Sequence, residues 1–381
     1  MSGTIGIPAP DARAPRIAMR IDGQDVPGLI EFVVCNNSYR AADTFSAQLS
    51  MTGWGAGGAA VVGLPPAYGP AFWAATDAID FELLAWLDGR TPPTSIIRGL
   101  VDRIEFSFDH TTIAVRGRDY SSGFIDAKTS EKFADQTLSQ IAVTLAARHP
   151  LPGGAAMQVS ATSTTTKAGD YYRAAHVALT DEVSEWTLLQ WLAEQEGLDV
   201  WVAGQTLYVQ PPPGVEVPPL GILYQPPSSA DPVAQATATQ IRVERVLTLS
   251  RDIVVTVRSW NHGQKCAIEV TRRGTKVLNP GQKNTTQGLP PHTYIFTIPG
   301  LTQVQAEQYA ANKLAELSQH ERVVTVPNLP AVPDLTVRRM VRVSGTQTAF
   351  DQDYFITEIV RRFGWNACCM EIRATNSSPR Q

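Results

Sequence analysis

The chain is poor in cysteine, in clustered basic charge and in long apolar runs, and each shortage removes a class of protein. Four cysteines occur in 381 residues. They stand at Cys35, Cys266, Cys368 and Cys369, with no C-x-x-C spacing, so neither a disulfide framework nor a structural zinc site is suggested and a reducing site of synthesis fits. Lysine and arginine (32) fall short of aspartate and glutamate (36), for a net charge of −4, and the basic residues are scattered. No segment offers the field that a phosphate backbone needs, so nucleic acid is not an expected partner. No apolar run approaches the ~18 residues of a membrane span, which argues against membrane insertion. The first residues, MSGTIGIPAPDARAP, lack a basic leader followed by an apolar core, so no signal peptide is expected.

Catalytic signatures are equally scarce. There is no nucleophile elbow, no HExxH and no GxxxxGK[ST], and Lys283 in GQKNTTQG does not sit where a phosphate-cradling loop needs it. His262 and Cys266 lie four residues apart but flank a Gly-Gln turn without further ligands nearby. His149, His176, His292 and His320 are isolated. No catalytic, cofactor or metal residue is therefore assigned.

What the sequence does hold is β pattern. A length of 381 residues exceeds the roughly 250–300 at which single cores stop growing, and predicts two to four domains. Pro8, Pro10 and Pro15 make residues 1–15 a flexible arm. From Arg16, apolar and polar residues alternate (Ile17, Met19, Ile21; Phe45, Ala47, Leu49) between the turn signals Asp22-Gly23, Pro27-Gly28 and Asn36-Asn37. The alternation resumes in DFELLAWLDGR, SIIRGLVDRIEFSF and TIAVRGRD, so residues 16–119 read as one all-β unit, a small barrel or a sandwich. Between these runs, Thr52 to Trp73 is rich in Gly, Ala and Pro without a period. It reads either as a disordered insertion or as a partner-contact loop presenting Trp54 and Trp73.

Residues 120–210 change character to a small α+β domain. Asp135 is placed to cap a helix near 135–148 with Leu138, Ile141, Ala142 and Leu145 on one face. A second helix, near 181–196, stops at Gly197, and a hairpin follows at 198–209. Its Trp186 and Trp191 suit core packing or an interface. The proline-rich segment 211–240 reads as a linker. Residues 241–381 return to strands, with an inserted β/loop subdomain at about 260–300 and a helix whose Thr302 and Gln305 have capping-box spacing.

VDRIEFSFDHTTIAVRGRD gathers Asp102, Glu105, Asp109, His110 and Asp119, and must be tested as an acid/base site. In a strand through Ile104, Phe106 and Phe108, residues 103 and 105 point to the opposite, solvent face, and Asp109 and His110 fall at a hairpin tip. Nothing forces the group into one water-excluded pocket. Asp77, Asp80 and Glu82, a conceivable glycosidase pair, run into a regular strand and read as a solvated face. The same hairpin has an echo in YFITEIVRRFGWNACCMEIRA: Val101, Ile104 and Phe108 match the spacing of Ile356, Ile359 and Phe363, and Ile113, Val115 and Arg116 match Met370, Ile372 and Arg373. If the echo marks a duplication, the chain contains two similar barrels.

The order of GLVDRIEFSFDHTTIAVRGRDYSSGFID, SEWTLLQWLAEQEGLDVWVAGQTLYVQ, VVTVRSWN and GTQTAFDQDYFITEIVRRF resembles baseplate hub proteins of contractile-tailed phages, the late control D family, related to the N-terminal scaffold of secretion-system spike proteins. The resemblance spans about Arg16 to Ala374. It implies a mainly β chain with α+β insertions: two tube-like β-barrels, a small α+β domain and an inserted β subdomain. It further implies a homotrimer whose six barrels dock on a six-fold tail tube and whose other face holds a three-fold central spike, through interfaces of about 2,000 Å² or more. The expected partners are thus a second and third copy of the chain, a tail tube protein, a spike protein and other baseplate proteins, in a virion tail assembled in the host bacterial cytoplasm, without catalytic turnover. The rival reading is a β-rich carbohydrate-binding protein with Trp54 and Trp73 as its platform, or a polysaccharide-degrading protein, which would need a converging pair of carboxylates in a cleft.

Overall fold

Period-two burial carries the chain into strands from Arg16 onward. The structure, a computed structural model, describes residues 16–37, 41–52, 63–86, 93–175, 183–211, 218–228, 233–245, 253–261, 266–274, 291–318, 322–332, 335–364 and 368–376. The first unit contains β1 (Arg16–Ile21), β2 (Gln24–Val26), β3 (Leu29–Asn37), β4 (Thr44–Ser50), α1 (Pro70–Ala75), β5 (Asp80–Trp86), β6 (Thr94–Ser107) and β7 (Thr112–Asp119). Its strands lie in the order β2-β1-β5-β6-β7-β4-β3, all antiparallel. Met19 and Ile21, Phe45, Ala47 and Leu49, and Ile113 and Val115 all point into one core, as alternation requires. Asp22 and Gly23, both at positive φ, make the two-residue turn between β1 and β2, in keeping with a primed hairpin turn.

The segment before β5 corrects one expectation. Residues 66–68 form a single 3-10 turn and Pro70–Ala75 a short helix, each opened by a proline whose fixed φ suits a helix start. Trp73 is not an exposed contact residue: it is 2% exposed and lies in the core. Its indole Nε1 donates to Tyr68 O at 2.9 Å, and its ring meets Phe72 and Phe81 edge-on. Burial of this aromatic group outweighs the loop-like composition around it. Trp54 lies outside the described residues.

The α+β unit comprises α2 (Ser121–Asp126), β8 (Lys128–Thr129), α3 (Leu138–Ala146), β9 (Gln158–Ala161), α4 (Ala168–Ala175), β10 (Val183–Ser184), α5 (Glu185–Glu196), β11 (Asp199–Ala203) and β12 (Thr206–Gln210). The cap of α3 is Thr137 in a reciprocal box with Gln140. Asp135 stands outside the helix with its side chain almost fully exposed, because Thr137 already satisfies the first free amides. Ser184 caps α5, and Gly197 ends it at φ 68, the left-handed position that glycine takes without strain. Trp186 is buried, and Trp191 stacks on Tyr172 at 5.5 Å.

The second β unit holds β13 (Leu220–Gln225), β14 (Gln235–Ala236), β15 (Arg242–Arg245), β16 (Ile253–Asn261), β17 (Cys266–Gly274), β18 (His292–Thr297), α6 (Gln303–Ser318), β19 (Arg322–Pro330), β20 (Met340–Ser344), β21 (Asp353–Gly364) and β22 (Cys368–Asn376). The expected linker at 211–240 contributes β13 and β14 to the main sheet. The prolines flank β13 rather than interrupt it, so its ladder is intact. β16, β17 and β18 form a separate sheet that packs with α6 around its own core. The remaining strands run β14-β13-β20-β21-β22-β19-β15.

The two β units share one sheet of fourteen strands. β21 carries β22 along one side, while its other side is divided: residues 353–355 pair with β20 and residues 358–364 pair antiparallel with β3. The edge of β3 is thus covered by the far end of the chain, a position that would otherwise expose unpaired backbone. The cores follow the seam, with Phe363 in the first and Ile356 and Ile359 in the second. Among the described residues neither unit closes into a ring of strands.

Candidate functional site

The seam between β3 and β21 is the best-built polar feature of the molecule. Arg361 on β21 is 2% exposed, and its guanidinium donates to Asn36 Oδ1 on β3 and to the carbonyls of Val332 and Leu335. A planar fork of donors suits three acceptors arrayed around it. Asn36 passes the network on through Nδ2 to Asp43 Oδ2 at 2.7 Å, and Asp43 Oδ1 accepts from Asn37 N at 2.7 Å. The backbone of Asp43 receives Asp119 N at 3.0 Å. Asp119 is buried and accepts from Ser121 N at 3.2 Å and Ser121 Oγ at 2.5 Å. Burial raises the Asp119 carboxyl well above the usual range, and the neighbouring Asp43 charge adds to the rise. On β3 beside Asn36, Cys35 Sγ donates to Glu358 Oε1 at 3.1 Å. Burial first, and the Glu358 hydrogen bond second, push the thiol up to about 12.

Around this seam the two units repeat one frame. In the first, Val101 opposes Gly117, the register then slips by one at Asp102, and Ile104 opposes Val115. In the second, Ile356 opposes Ala374, the register slips at Thr357, and Ile359 opposes Ile372. The bulge stands at the same place in both hairpins. The flanking strands repeat as well: β5-β6-β7-β4-β3 answers β20-β21-β22-β19-β15.

The acid and histidine residues of the first hairpin are not brought together. Asp102, on the bulge, receives Arg118 at 2.8 Å, and Arg118 also holds Asp126 at 2.8 Å; that pairing lowers Asp126 and raises Arg118. Glu105 is exposed. Asp109 and His110 lie on the exposed tip, 3.3 Å apart, and Asp109 accepts from Ser107. Asp119 faces the opposite end, inside the seam network. Of the other acids, Asp80 is buried against Arg98 and Tyr120, each at 2.6 Å, Glu82 sits 3.4 Å from Arg20, and Asp77 is exposed. No cluster of three or more metal-ligating side chains occurs among the described residues, and His262 lies outside them.

A ladder of backbone pairs locked by one buried arginine holds the two β units together. Comparison with solved structures agrees with that architecture. A tail protein from Neisseria meningitidis MC58 superposes with a TM-score of 0.63 at 15% identity, covering 95% of this chain and 97% of the other. The chain has the fold of phage tail proteins. The 43 kDa tail protein of prophage MuSo2 from Shewanella oneidensis gives 0.62 at 14% identity over 96% and 98% of the two chains. The prophage tail protein gp18 from Listeria monocytogenes EGD-e gives 0.55 at 10% identity over 95% and 94%. No protein-family model and no curated protein matches the sequence, so the tail-protein likeness lives in the fold. Sequence reasoning placed the repeat at the hairpins but missed the seam. The only local signal of the repeat was the three-residue spacing of Val101 to Ile104 and Ile356 to Ile359, where strict alternation breaks; the seam itself left none.

Proposed function

We propose that the chain is a structural hub of a phage tail or related contractile injection particle, a homotrimeric adaptor between a six-fold tail tube and a three-fold central spike. The observation that carries this reading is the repeated five-strand frame with its bulge in the same position. Three copies of a chain with two equivalent units present six equivalent surfaces, which matches a six-fold ring while leaving three-fold symmetry elsewhere. The tail-protein fold over 95% of the chain supports the same placement. In this reading each unit is one tube-like barrel of the assembled ring, and the α+β unit and the inserted subdomain face other baseplate proteins. Its work is mechanical, without catalytic turnover, in a virion tail put together in the bacterial cytoplasm.

Light scattering on the purified chain, followed by averaged electron images, tests this directly. A trimer whose projection shows a pseudo-six-fold ring is the expected result. A monomer at micromolar concentration, both alone and co-expressed with the spike, or a trimer without such a ring, overturns it.

A further inference from the structure

The repeat leaves two strand edges unmatched, and together they specify a contact. In β21 the residues past the bulge, 358–364, take β3 as a partner. Their counterparts in β6 begin at Arg103. Here β5 pairs only as far as Leu100, and among the described residues no strand covers that side of residues 103–107. Conversely, β3 is sandwiched between β4 and β21, whereas its counterpart β15 has β19 on one side and no second strand among the described residues. One repeat has an edge occupied, and the other has the same edge and its would-be occupant both open.

The register of the counterpart follows from the ladders. Val34 opposes Phe45, which opposes Gly117; Val243 opposes Val324, which opposes Ala374. Val34 therefore corresponds to Val243 and Phe32 to Ile241. On the other side, Arg361 corresponds to Phe106 and Phe363 to Phe108. Inside the chain Phe363 opposes Phe32, their ring centroids are 4.9 Å apart, and Phe363 is 1% exposed. Its counterpart Phe108 is 70% exposed and stacks on Phe106 at 5.7 Å. Ile241 and Val243 lie half-covered at the rim of the second core. An exposed phenylalanine stacked on a half-buried one beside an open strand edge is a surface that sheet proteins ordinarily cover.

We propose that the intrachain seam recurs between chains: β15 of one copy pairs antiparallel with residues 104–107 of β6 in a second copy. In this register Phe108 lies over Ile241 and Phe106 over Val243, as Phe363 lies over Phe32. On the outer face Ser107 stands opposite Arg242. Glu105 stands opposite Glu244 and diagonal to Arg242. This deepens the trimer proposal and rests on it. Three such contacts alternate with three intrachain seams, and the ring closes.

Ser107→Cys with Arg242→Cys tests the register on the full chain, since both positions are exposed or half-exposed and a disulfide needs closely opposed Cβ atoms. Mild oxidation is expected to give a covalent ladder that stops at three chains. Each single variant, and Arg103→Cys with Arg242→Cys, about 13 Å out of register at ~3.3 Å per residue, is expected to give none. Phe108→Asp is expected to raise the dissociation constant of the trimer at least tenfold while leaving the melting of the isolated chain unchanged. Glu105→Lys, which turns a like-charge pair into an opposite one, is expected to tighten it. A chain that is trimeric by mass but fails to cross-link, or tolerates Phe108→Asp, overturns this contact and leaves the trimer standing. Ladders beyond three chains overturn closure. A chain that stays monomeric with the spike present overturns both.

Discussion

The Cys35 thiol donates to the Glu358 carboxylate at 3.1 Å, joining positions 323 residues apart in the chain. The contact sits on the β3–β21 ladder and makes the thiol a donor rather than a nucleophile, because thiolate is the reactive form. With the thiol pushed up to about 12, Cys35 is expected to resist maleimide labelling at pH 7–8. Glu358→Gln removes the charge and one cause of the rise, so labelling should speed up several-fold, as peptide mapping by mass spectrometry would register. Labelling of Cys35 at the rate of a free thiol in the unaltered chain contradicts the geometry.

Arg361 is the clamp of the seam. Its removal leaves the half-buried Asn36 Oδ1 and two buried carbonyls without that donor, at a cost of up to about 1–3 kcal/mol each. Arg361→Met is expected to lower unfolding stability by roughly 2–4 kcal/mol, allowing for relaxation. Arg361→Lys should recover only a small part, because one ammonium cannot meet three separated acceptors. Urea unfolding of the two variants decides between a clamp and a mere filler, which lysine would replace at little loss.

Asp119 makes stability depend on pH with an unusual sign. Its folded carboxyl titrates above the ~3.9 of an unfolded aspartate, for burial and the Asp43 charge both raise it. Between those two values the folded state binds more protons than the unfolded one, so stability falls as pH rises. The contribution is complete below the unfolded value and is lost as pH climbs through the folded one. Asp119→Asn keeps an acceptor for Ser121 and should flatten this decline, with a higher melting temperature than the parent at pH 8 and little difference near pH 4. A variant that is equally destabilised at both pH values argues that the carboxylate is ionised in the fold.

Trp73 anchors the helix before β5. Trp73→Ala is expected to cost about 3–5 kcal/mol, the range for emptying a large aromatic site. Trp73→Phe should cost less, losing chiefly the bond to Tyr68 O. A near-neutral Trp73→Ala in thermal unfolding would return the residue to the surface role that composition first suggested.

Much of the local fabric was legible because its causes are local. Gly197 ends α5 as its place in the sequence requires, and the Thr302/Gln305 spacing sets the start of α6, with Gln305 accepting from Thr302 N and Thr302 Oγ1 at 2.9 and 3.0 Å, whereas the cap of α3 fell to Thr137 and not to the expected Asp135. The equivalence of the two hairpins could be read from the spacing of Val101 and Ile104 against Ile356 and Ile359, because a bulge shifts the apolar period by one and leaves a mark in sequence. The seam left no such mark. Pairing of β3 with β21 joins residues 31–37 to residues 358–364, and no window of neighbouring residues contains that information. Trp73 was misread for a related reason: glycine, alanine and proline around it describe the backbone of a loop, while the site of the indole is set by Phe72 and by Phe81 on a neighbouring strand. Phe108 and Phe363 show the limit most plainly, since equivalent positions with the same side chain differ from exposed to buried.

The inserted sheet of β16, β17 and β18 leaves the main sheet after Arg245 and returns at Arg322, two residues that face each other across the β15–β19 ladder. To the sheet, the whole excursion is equivalent to a hairpin loop, entering and leaving through neighbouring positions. The frame therefore acts as a socket: a different folded module, or a short turn, could be grafted between the same two strands with strand order, register and seam all kept. Diversity among chains that share this frame can accumulate there while the pairing of β3 with β21 stays fixed.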